Sequence, residues 1–139
     1  MTKRSLKLMV LAMLAAPLSG CLFSGESMNS YVVTEGQIDV QTDRKNWYLK
    51  RQVSVEGVVS ERRDGHLFVQ ARIQNEGNGE RKLEWQIEWY DGSGLLVGKP
   101  TAWEILRLGG GELHTLQRTA PTPAAISMRL NLRPQDSVR

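Results

Sequence analysis

Groups that commonly form catalytic or metal-binding centres are scarce in this sequence. Its 139 residues include one cysteine, Cys21, and two histidines, His66 and His114. One thiol cannot form an intramolecular disulfide, and a structural metal site usually needs several Cys or His ligands. We therefore expect no cofactor and no metal site, and we interpret both histidines as solvent-exposed strand residues.

Long hydrophobic runs are also lacking. The longest spans residues 8–18, whereas a transmembrane helix needs about 20 consecutive apolar residues. Pro17 would also break a helix near the end of that run. Because the run follows the basic residues Lys3, Arg4 and Lys7, it predicts the apolar region of a secretory signal peptide.

The single cysteine ends this signal-like segment. The sequence Leu18-Ser19-Gly20-Cys21 looks like the cleavage box of a bacterial lipoprotein. It predicts cleavage between Gly20 and Cys21 and attachment of lipid to the Cys21 sulfur. The alternative is an ordinary secretory signal followed by a cysteine that occurs there by chance. Leu22 follows the cysteine, and because inner-membrane retention usually requires Asp there, we expect localisation to the outer membrane.

Excess charge of one sign is confined to the predicted signal. The whole chain has 18 basic and 15 acidic residues, and residues 1–20 hold three of the basic residues and none of the acidic ones. The chain from Cys21 onward therefore has 15 of each and no net charge. This balance gives no reason to expect nucleic acid as a partner.

Composition divides the chain into four parts. We expect a cleaved signal peptide over residues 1–20, a lipidated tether over 21–45, a folded domain over 46–134 and a loose tail over 135–139. Residues 22–30 are small and polar without periodicity. Two apolar stretches within the tether, Tyr31–Val33 and Gln37–Val40, are either short strands or part of the linker.

From Trp47 onward the pattern predicts β-structure. Leu83, Trp85, Ile87 and Trp89 alternate strictly with polar residues, which is typical of a strand with one face in a core. The stretch from Leu67 to Ile73 and that from Ile126 to Leu132 alternate similarly. Gly or Pro turns, such as Asp64-Gly65, separate six to eight such segments. The pattern favours an antiparallel β-sandwich, with a small barrel as the alternative.

The second half of the domain resembles a known family. Trp89-Tyr90-Asp91 with Gly94-Leu95, Pro100, the stretch from Trp103 to Leu108, a glycine corner and Arg129-Leu130-Asn131-Leu132 are similar to the YcfL-like lipoproteins of proteobacteria. The resemblance covers roughly residues 50–133. It implies an all-β, immunoglobulin-like β-sandwich of about seven antiparallel strands on a lipid anchor. It implies no activity and no catalytic or binding residues.

No catalytic motif stands out from this β-pattern. Glu84 and Glu88 lie four residues apart on one strand, hence about 13 Å apart, too far for the usual pair of carboxylates in a glycosidase. Gly109-Gly110-Gly111 is followed by Glu112 and a predicted strand, whereas a phosphate loop leads into a helix. We interpret the carboxylates as a solvated face and the glycines as a turn.

The four tryptophans divide into two groups. Trp85 and Trp89 lie on an apolar strand face and are predicted to be core residues. Trp47 and Tyr48, with the basic Lys50 and Arg51, form a cluster at the end of the predicted tether. This cluster is a candidate contact surface for lipid headgroups, peptidoglycan or a partner protein. Alternatively, it is a first strand that packs its aromatic residues inward.

Taken together, these features predict a non-enzymatic periplasmic module held at the outer membrane through lipid on Cys21. Its partner would be another envelope protein or a cell-wall component. One alternative is a cell-wall or lipid hydrolase, which requires a concave site with an acid or histidine beside a nucleophile. Another is an accessory lipoprotein of a secretion system, which requires a protruding loop or an exposed sheet edge.

Overall fold

A computed structural model describes residues 28–36, 41–44 and 46–135, and for residues 41–44, 47, 48, 50 and 57 it describes the backbone alone. The chain forms eight strands and one short helix within these ranges. In chain order they are β1 (Asn29–Thr34), β2 (Gln41–Arg44), α1 (Trp47–Gln52), β3 (Val53–Arg63), β4 (His66–Asn75), β5 (Arg81–Asp91), β6 (Glu104–Leu108), β7 (Leu113–Thr119) and β8 (Ala125–Pro134).

The strands form two antiparallel sheets packed as a sandwich. Sheet A has the order β2-β1-β8-β5-β6, and sheet B has the order β3-β4-β7. Apart from β2, which adds a fifth strand at the edge of sheet A, this is the order of an immunoglobulin-like sandwich with strands A-B-E in one sheet and G-F-C-C′ in the other. The place of its last strand, G, is here taken by the N-terminal strand β1. The predicted antiparallel sandwich is thus confirmed.

Strict alternation places one face of each central strand in the core. On β4 the buried residues include Leu67, Val69, Ala71 and Ile73, and on β5 they are Leu83, Trp85, Ile87 and Trp89. Both tryptophans of β5 are therefore core residues, as predicted. Phe68 points to the outer face of sheet B, where the guanidinium of Arg63 covers its ring at 3.6 Å from the centroid.

The hairpin between β3 and β4 forms as the sequence indicates. Asp64 has φ of 51° and Gly65 has φ of 80°, and Arg63 pairs with His66 across them. Two consecutive positive φ values define the type I′ turn that Asp-Gly favours, because its twist matches that of the flanking strands.

The N-terminal region departs from the predicted tether. Strand β1 pairs with β8 along its whole length, and two of its side chains, Tyr31 and Val33, are buried in the core. A flexible tether over residues 21–45 is therefore wrong for residues 29–34 and 41–44. Of the two apolar stretches in this region, Tyr31–Val33 joins the sheet, and residues 37–40 lie outside the described ranges.

Residues 47–52 are also different from the predicted first strand. They form helix α1, whose N-cap Asn46 accepts a hydrogen bond from the Leu49 backbone N–H at 3.0 Å. Leu49 is only 1% exposed and joins the core. A helix of one and a half turns is too short to show a helical period, which is why the pattern did not reveal it.

The chain around the edge strand β6 is regular on one side only. Leu95–Val97 is not a strand, since Leu96 makes only an isolated bridge to Tyr90. The apolar stretch after Trp103 forms the regular edge strand β6. None of the helices in the described ranges is long and apolar enough to cross a membrane.

Candidate functional site

The sandwich has two lateral sides, at which the edge strands β3 and β7 of sheet B face sheet A. We call the side between β3 and β1 the closed side, because helix α1 links β2 to β3 there. We call the side between β7 and β5 the open side. There the Gly109–Glu112 corner links β6 to β7.

An inward-facing arginine seals the closed side. Arg62 lies opposite the core residue Leu67 and makes a bidentate ion pair with Glu35, with N–O distances of 2.8 and 2.7 Å. It also donates to the carbonyls of Gly65, Pro123 and Ala125. The hydrogen bond from Arg62 lowers the pKa of the Glu35 carboxyl below its ordinary value.

The open side begins with a break in the edge of sheet A. Val97 donates to the Trp89 carbonyl at 2.7 Å, and Thr101 donates to the Ile87 carbonyl at 2.9 Å. Residues 98–100 leave the edge between these two bonds. Gly98 has φ of 74°, which a glycine adopts readily. The Thr101 hydroxyl then accepts from the Ile87 N–H at 2.9 Å, in place of a backbone carbonyl.

This break opens a cleft of about 270 Å³ into the edge of the core. Its floor is formed by Ile87 and Trp89, two buried side chains of β5. Its walls are Thr101, Thr119 and Pro121, and its rim carries two cations, Lys99 and Arg118. The lining residues include no carboxylate, imidazole or thiol. The cleft therefore offers an apolar surface beside positive charge, and no acid–base pair.

Arg118 is the open-side counterpart of Arg62. It lies opposite the core residue Val69, so its side chain is on the inward face of β7. Its guanidinium lies over the Trp85 ring at 4.8 Å and donates to the carbonyl of the adjacent Gln117 at 2.8 Å. Its nearest carboxylate oxygen, on Glu104, is 3.7 Å away, too far for a strong hydrogen bond.

Lys99 has no hydrogen bond or ion pair with any other residue that the structure describes. By contrast, Arg62 and Arg133 each donate directly to a carboxylate, at 2.7 and 2.6 Å. The cations of the cleft thus combine weak internal pairing with partial exposure. Such an arrangement is suited to an anionic group, because arginine forms forked hydrogen bonds with carboxylate and phosphate.

The outer face of sheet A carries a polar network. Glu88 accepts from the Tyr90 hydroxyl at 3.0 Å and from the Asn131 amide at 3.3 Å, and Arg129 donates to the Tyr90 oxygen at 3.0 Å. Burial is the main cause of a raised pKa for Tyr90, and its hydrogen bond to Glu88 and the negative charge there add to it.

Glu84 is held in a similar way. It accepts from Arg133 at 2.6 Å, and Arg133 lies over the Trp103 ring at 4.0 Å. Glu84 and Glu88 are therefore half-buried, ion-paired groups, which corrects their interpretation as a solvated face. Since both are already bound to arginines, they form a structural network and not a free acid pair.

The two histidines lie far apart in the structure. His66 begins β4 and its Nδ1 is 2.9 Å from the Ala120 carbonyl oxygen. His114 lies opposite Ile73, near the other end of the same strand. Both are half-buried, so the predicted full exposure is wrong. Among the residues described, no three His, Cys, Asp or Glu side chains are grouped as metal ligands would be.

The residues predicted as contacts are only partly described. Gly20 and Cys21 lie outside the described residues. Trp47, Tyr48 and Lys50 are placed on α1 by their backbone alone, and Arg51 is exposed. The cleft was not predicted from the sequence. Two signals could have indicated it: Gly98-Lys99-Pro100, which interrupts a strand edge, and Arg118, which follows Leu116 on the apolar face of β7.

Fold and cleft define an immunoglobulin-like β-sandwich with a cationic lateral cleft. The chain belongs to the DUF1425 family, described as a protein of unknown function, whose model matches residues 39–134. Strand β1 precedes the matched region. No curated protein matches the chain.

Two solved structures are similar. The crystal structure of a DUF1425 family member from Shewanella sp. pv-4 is 21% identical, with a TM-score of 0.55 over 73% of this chain and 94% of that one. The crystal structure of Campylobacter jejuni cj0090 is 15% identical, with a TM-score of 0.49 over 58% of this chain and 85% of that one. The first of these supports the fold alone.

Proposed function

We propose that this chain is a lipoprotein of the outer membrane, anchored through Cys21, whose domain binds another envelope component without catalysing a reaction. The lipoprotein box at Leu18–Cys21 and the Leu22 that follows it support the anchor and its location. The likeness to YcfL-like lipoproteins supports the same assignment at a finer level than the DUF1425 family. Three acyl chains would hold such a protein stably, since two already suffice.

The cleft on the open side is the single observation that carries the binding role. It places Lys99 and Arg118 above an apolar floor of Ile87 and Trp89. A hydrolase would require a nucleophile with an acid or base within hydrogen-bonding reach. The only hydroxyls in this lining belong to Thr101 and Thr119, and no carboxylate or imidazole lines the cleft beside them. This composition supports recognition of a ligand more than its hydrolysis.

The exposed turn after β5 supports a second candidate, an accessory lipoprotein of a secretion system. Leu95 is 65% exposed and Leu96 is 43% exposed on this turn. Two adjacent exposed leucines are suited to docking against an apolar partner surface. Under this candidate the turn, and not the cleft, would make the main contact.

One crosslinking experiment in intact cells separates these candidates. A photo-crosslinking amino acid is placed at Pro121 in the cleft wall, at Leu95 in the turn, or at the exposed Arg72 on the outer face of sheet B as a control. We expect one defined adduct with an envelope component from position 121 and none from position 72. An adduct from position 95 alone would favour the secretion accessory. Absence of adducts at both 121 and 95 would contradict the binding role.

The anchor is tested separately by metabolic labelling with an alkyne analogue of palmitate. We expect the wild-type chain to incorporate the label and the Cys21→Ser chain to lose it. Label retained in Cys21→Ser would show that the lipid is attached elsewhere and would contradict the anchor.

A further inference from the structure

We infer that the cleft on the open side binds the C-terminal residue of an extended polypeptide, with its carboxylate between Lys99 and Arg118 and its apolar side chain against Pro121 and the edge of Trp89. This inference names the ligand class of the cleft and rests on the proposed binding function. It is carried by three features of the open side: the charge of the rim, the size of the floor and the free edge of β7.

The charge of the rim selects an anion. Lys99 and Arg118 line the cleft without any carboxylate in the lining, and Glu104, which is not a lining residue, is 3.7 Å from Arg118. Arg118 is held in position by the Trp85 ring and by the Gln117 carbonyl, and its side chain is 41% exposed. An oriented guanidinium with unused N–H donors fits the two oxygens of a carboxylate, and a lysine beside it adds a second charge.

The size of the floor selects one apolar side chain. A cleft of about 270 Å³ is smaller than the roughly 300–1,000 Å³ typical of sites for drug-sized ligands. It suits a single branched or aromatic side chain next to the charged group. Ile87 at the base of the cleft is 0% exposed and Trp89 is 5% exposed. The side chain would therefore contact mainly the exposed Thr119 and Pro121, and Trp89 only at its edge.

The free edge of β7 selects an extended backbone. The N–H of Asn75 donates to the Glu112 carbonyl, and the N–H of Ala120 donates to the Leu67 carbonyl. Because backbone direction alternates along a strand, Gln117 and Thr119 direct their N–H groups away from β4. No described strand pairs with this edge of sheet B, so an extended peptide can add to it beside the cleft.

Together these features match a known mode of recognition in which a peptide lies along a sheet edge and its terminal carboxylate is captured at the end. An internal acidic side chain would place negative charge on the rim. Such an acidic residue would have no apolar side chain of its own beside its carboxylate. A terminal apolar residue supplies both groups from one position.

The test measures binding of a defined peptide to the full chain by fluorescence polarisation. The probe is fluorescein-labelled Thr-Val-Thr-Val-Phe with a free C-terminal carboxylate. Two matched probes carry a C-terminal amide, or Gly in place of the terminal Phe. We expect each change to raise the Kd at least tenfold. Equal binding of the amide would overturn the inference.

Variants of the protein locate the binding site. Lys99→Met and Arg118→Met are each expected to raise the Kd for the carboxylate probe at least fivefold, whereas Arg72→Met, a matched change on the outer face of sheet B, is expected to change it less than twofold. Thermal melts of each variant verify folding. An unchanged Kd in Lys99→Met and Arg118→Met would overturn the inference.

A competitor distinguishes a polypeptide from an anionic amphiphile. Decanoate carries a carboxylate and an apolar chain but no peptide backbone, and we expect it to displace the probe at least tenfold less effectively than the unlabelled peptide. Equal displacement by decanoate would assign the cleft to an amphiphile. An in-cell adduct from position 121 without peptide binding would contradict the inference about the ligand class but not the proposed binding function. Peptide binding without any in-cell adduct would contradict the proposed function.

Discussion

The closed and open sides of the sandwich place the same residue type in equivalent positions and give it different surroundings. Arg62 on β3 and Arg118 on β7 both face inward from edge strands of sheet B. Arg62 is bound by a carboxylate and three carbonyls, whereas Arg118 has an aromatic ring, one carbonyl and a distant carboxylate. An inward charge on an edge strand discourages aggregation. Its partners decide whether it also seals the core or remains available to a ligand.

The largest loss of stability should come from truncating a core side chain on the closed side. Leu49 of α1 is buried in the core, so Leu49→Ala is expected to reduce the free energy of unfolding by about 2–5 kcal/mol. Leu96→Ala, at an exposed leucine near the open side, should change it by no more than about 0.5 kcal/mol. Urea unfolding of both variants measures the contrast, and equal losses would contradict the assignment of the two sides.

A smaller loss of stability should follow from disturbing the Gly109–Glu112 corner, where the chain passes from β6 to β7 on the open side. A Cβ on Gly110 would clash with the backbone of Asn78. Gly110→Ala is therefore expected to cost about 1–3 kcal/mol, as overpacking does in other proteins. Gly92→Ala is the matched control, because its Cβ would meet only Ile126 at ordinary contact distance. Urea unfolding again gives the measurement. An unchanged free energy of unfolding in Gly110→Ala would show that the corner shifts to accommodate the added methyl group.

The smallest effect should be a difference in acid sensitivity. Arg62 lowers the pKa of Glu35 in the folded state, so the ion pair stabilises the fold fully above the unfolded pKa of about 4.3. This stabilisation is lost as the pH falls below that value towards the folded pKa. Wild type should therefore melt at a higher temperature than Arg62→Met at pH 6. This difference in melting temperature should be smaller at pH 3.5.

Arg118→Met provides the control for this prediction. The ion pair of Arg118 with Glu104 is longer, at 3.7 Å, and more exposed, so the difference between the melting temperature of Arg118→Met and that of wild type should change less over the same pH range. Parallel pH profiles for Arg62→Met and wild type would show that the Glu35 ion pair does not contribute to the stability of the closed side.

The sequence allowed the centre of the fold to be predicted, but not its lateral sides. β4 and β5 alternate over many residues, and Asp64-Gly65 fixes the turn before β4, so local patterns were sufficient there. β1 has few residues and pairs with β8 far along the chain, and α1 is too short to be periodic. The cleft was missed because Lys99 and Arg118 meet only through packing of the two sheets, which no local pattern records. The contact role of the basic and aromatic cluster at Trp47 remains a prediction.

Strand β1 has a consequence for the order in which the molecule is assembled. Ser30 of β1 bonds to Asn131 of β8, 101 positions later in the chain. Contacts between such distant residues form slowly, because a long loop must close first. During synthesis β1 must therefore wait for β8, and it stays unpaired with β8 until residues 125–134 have been made. Cells would need to protect this edge during that interval, and a chain stalled before β8 would lack the strand that joins β1 to β5 in sheet A.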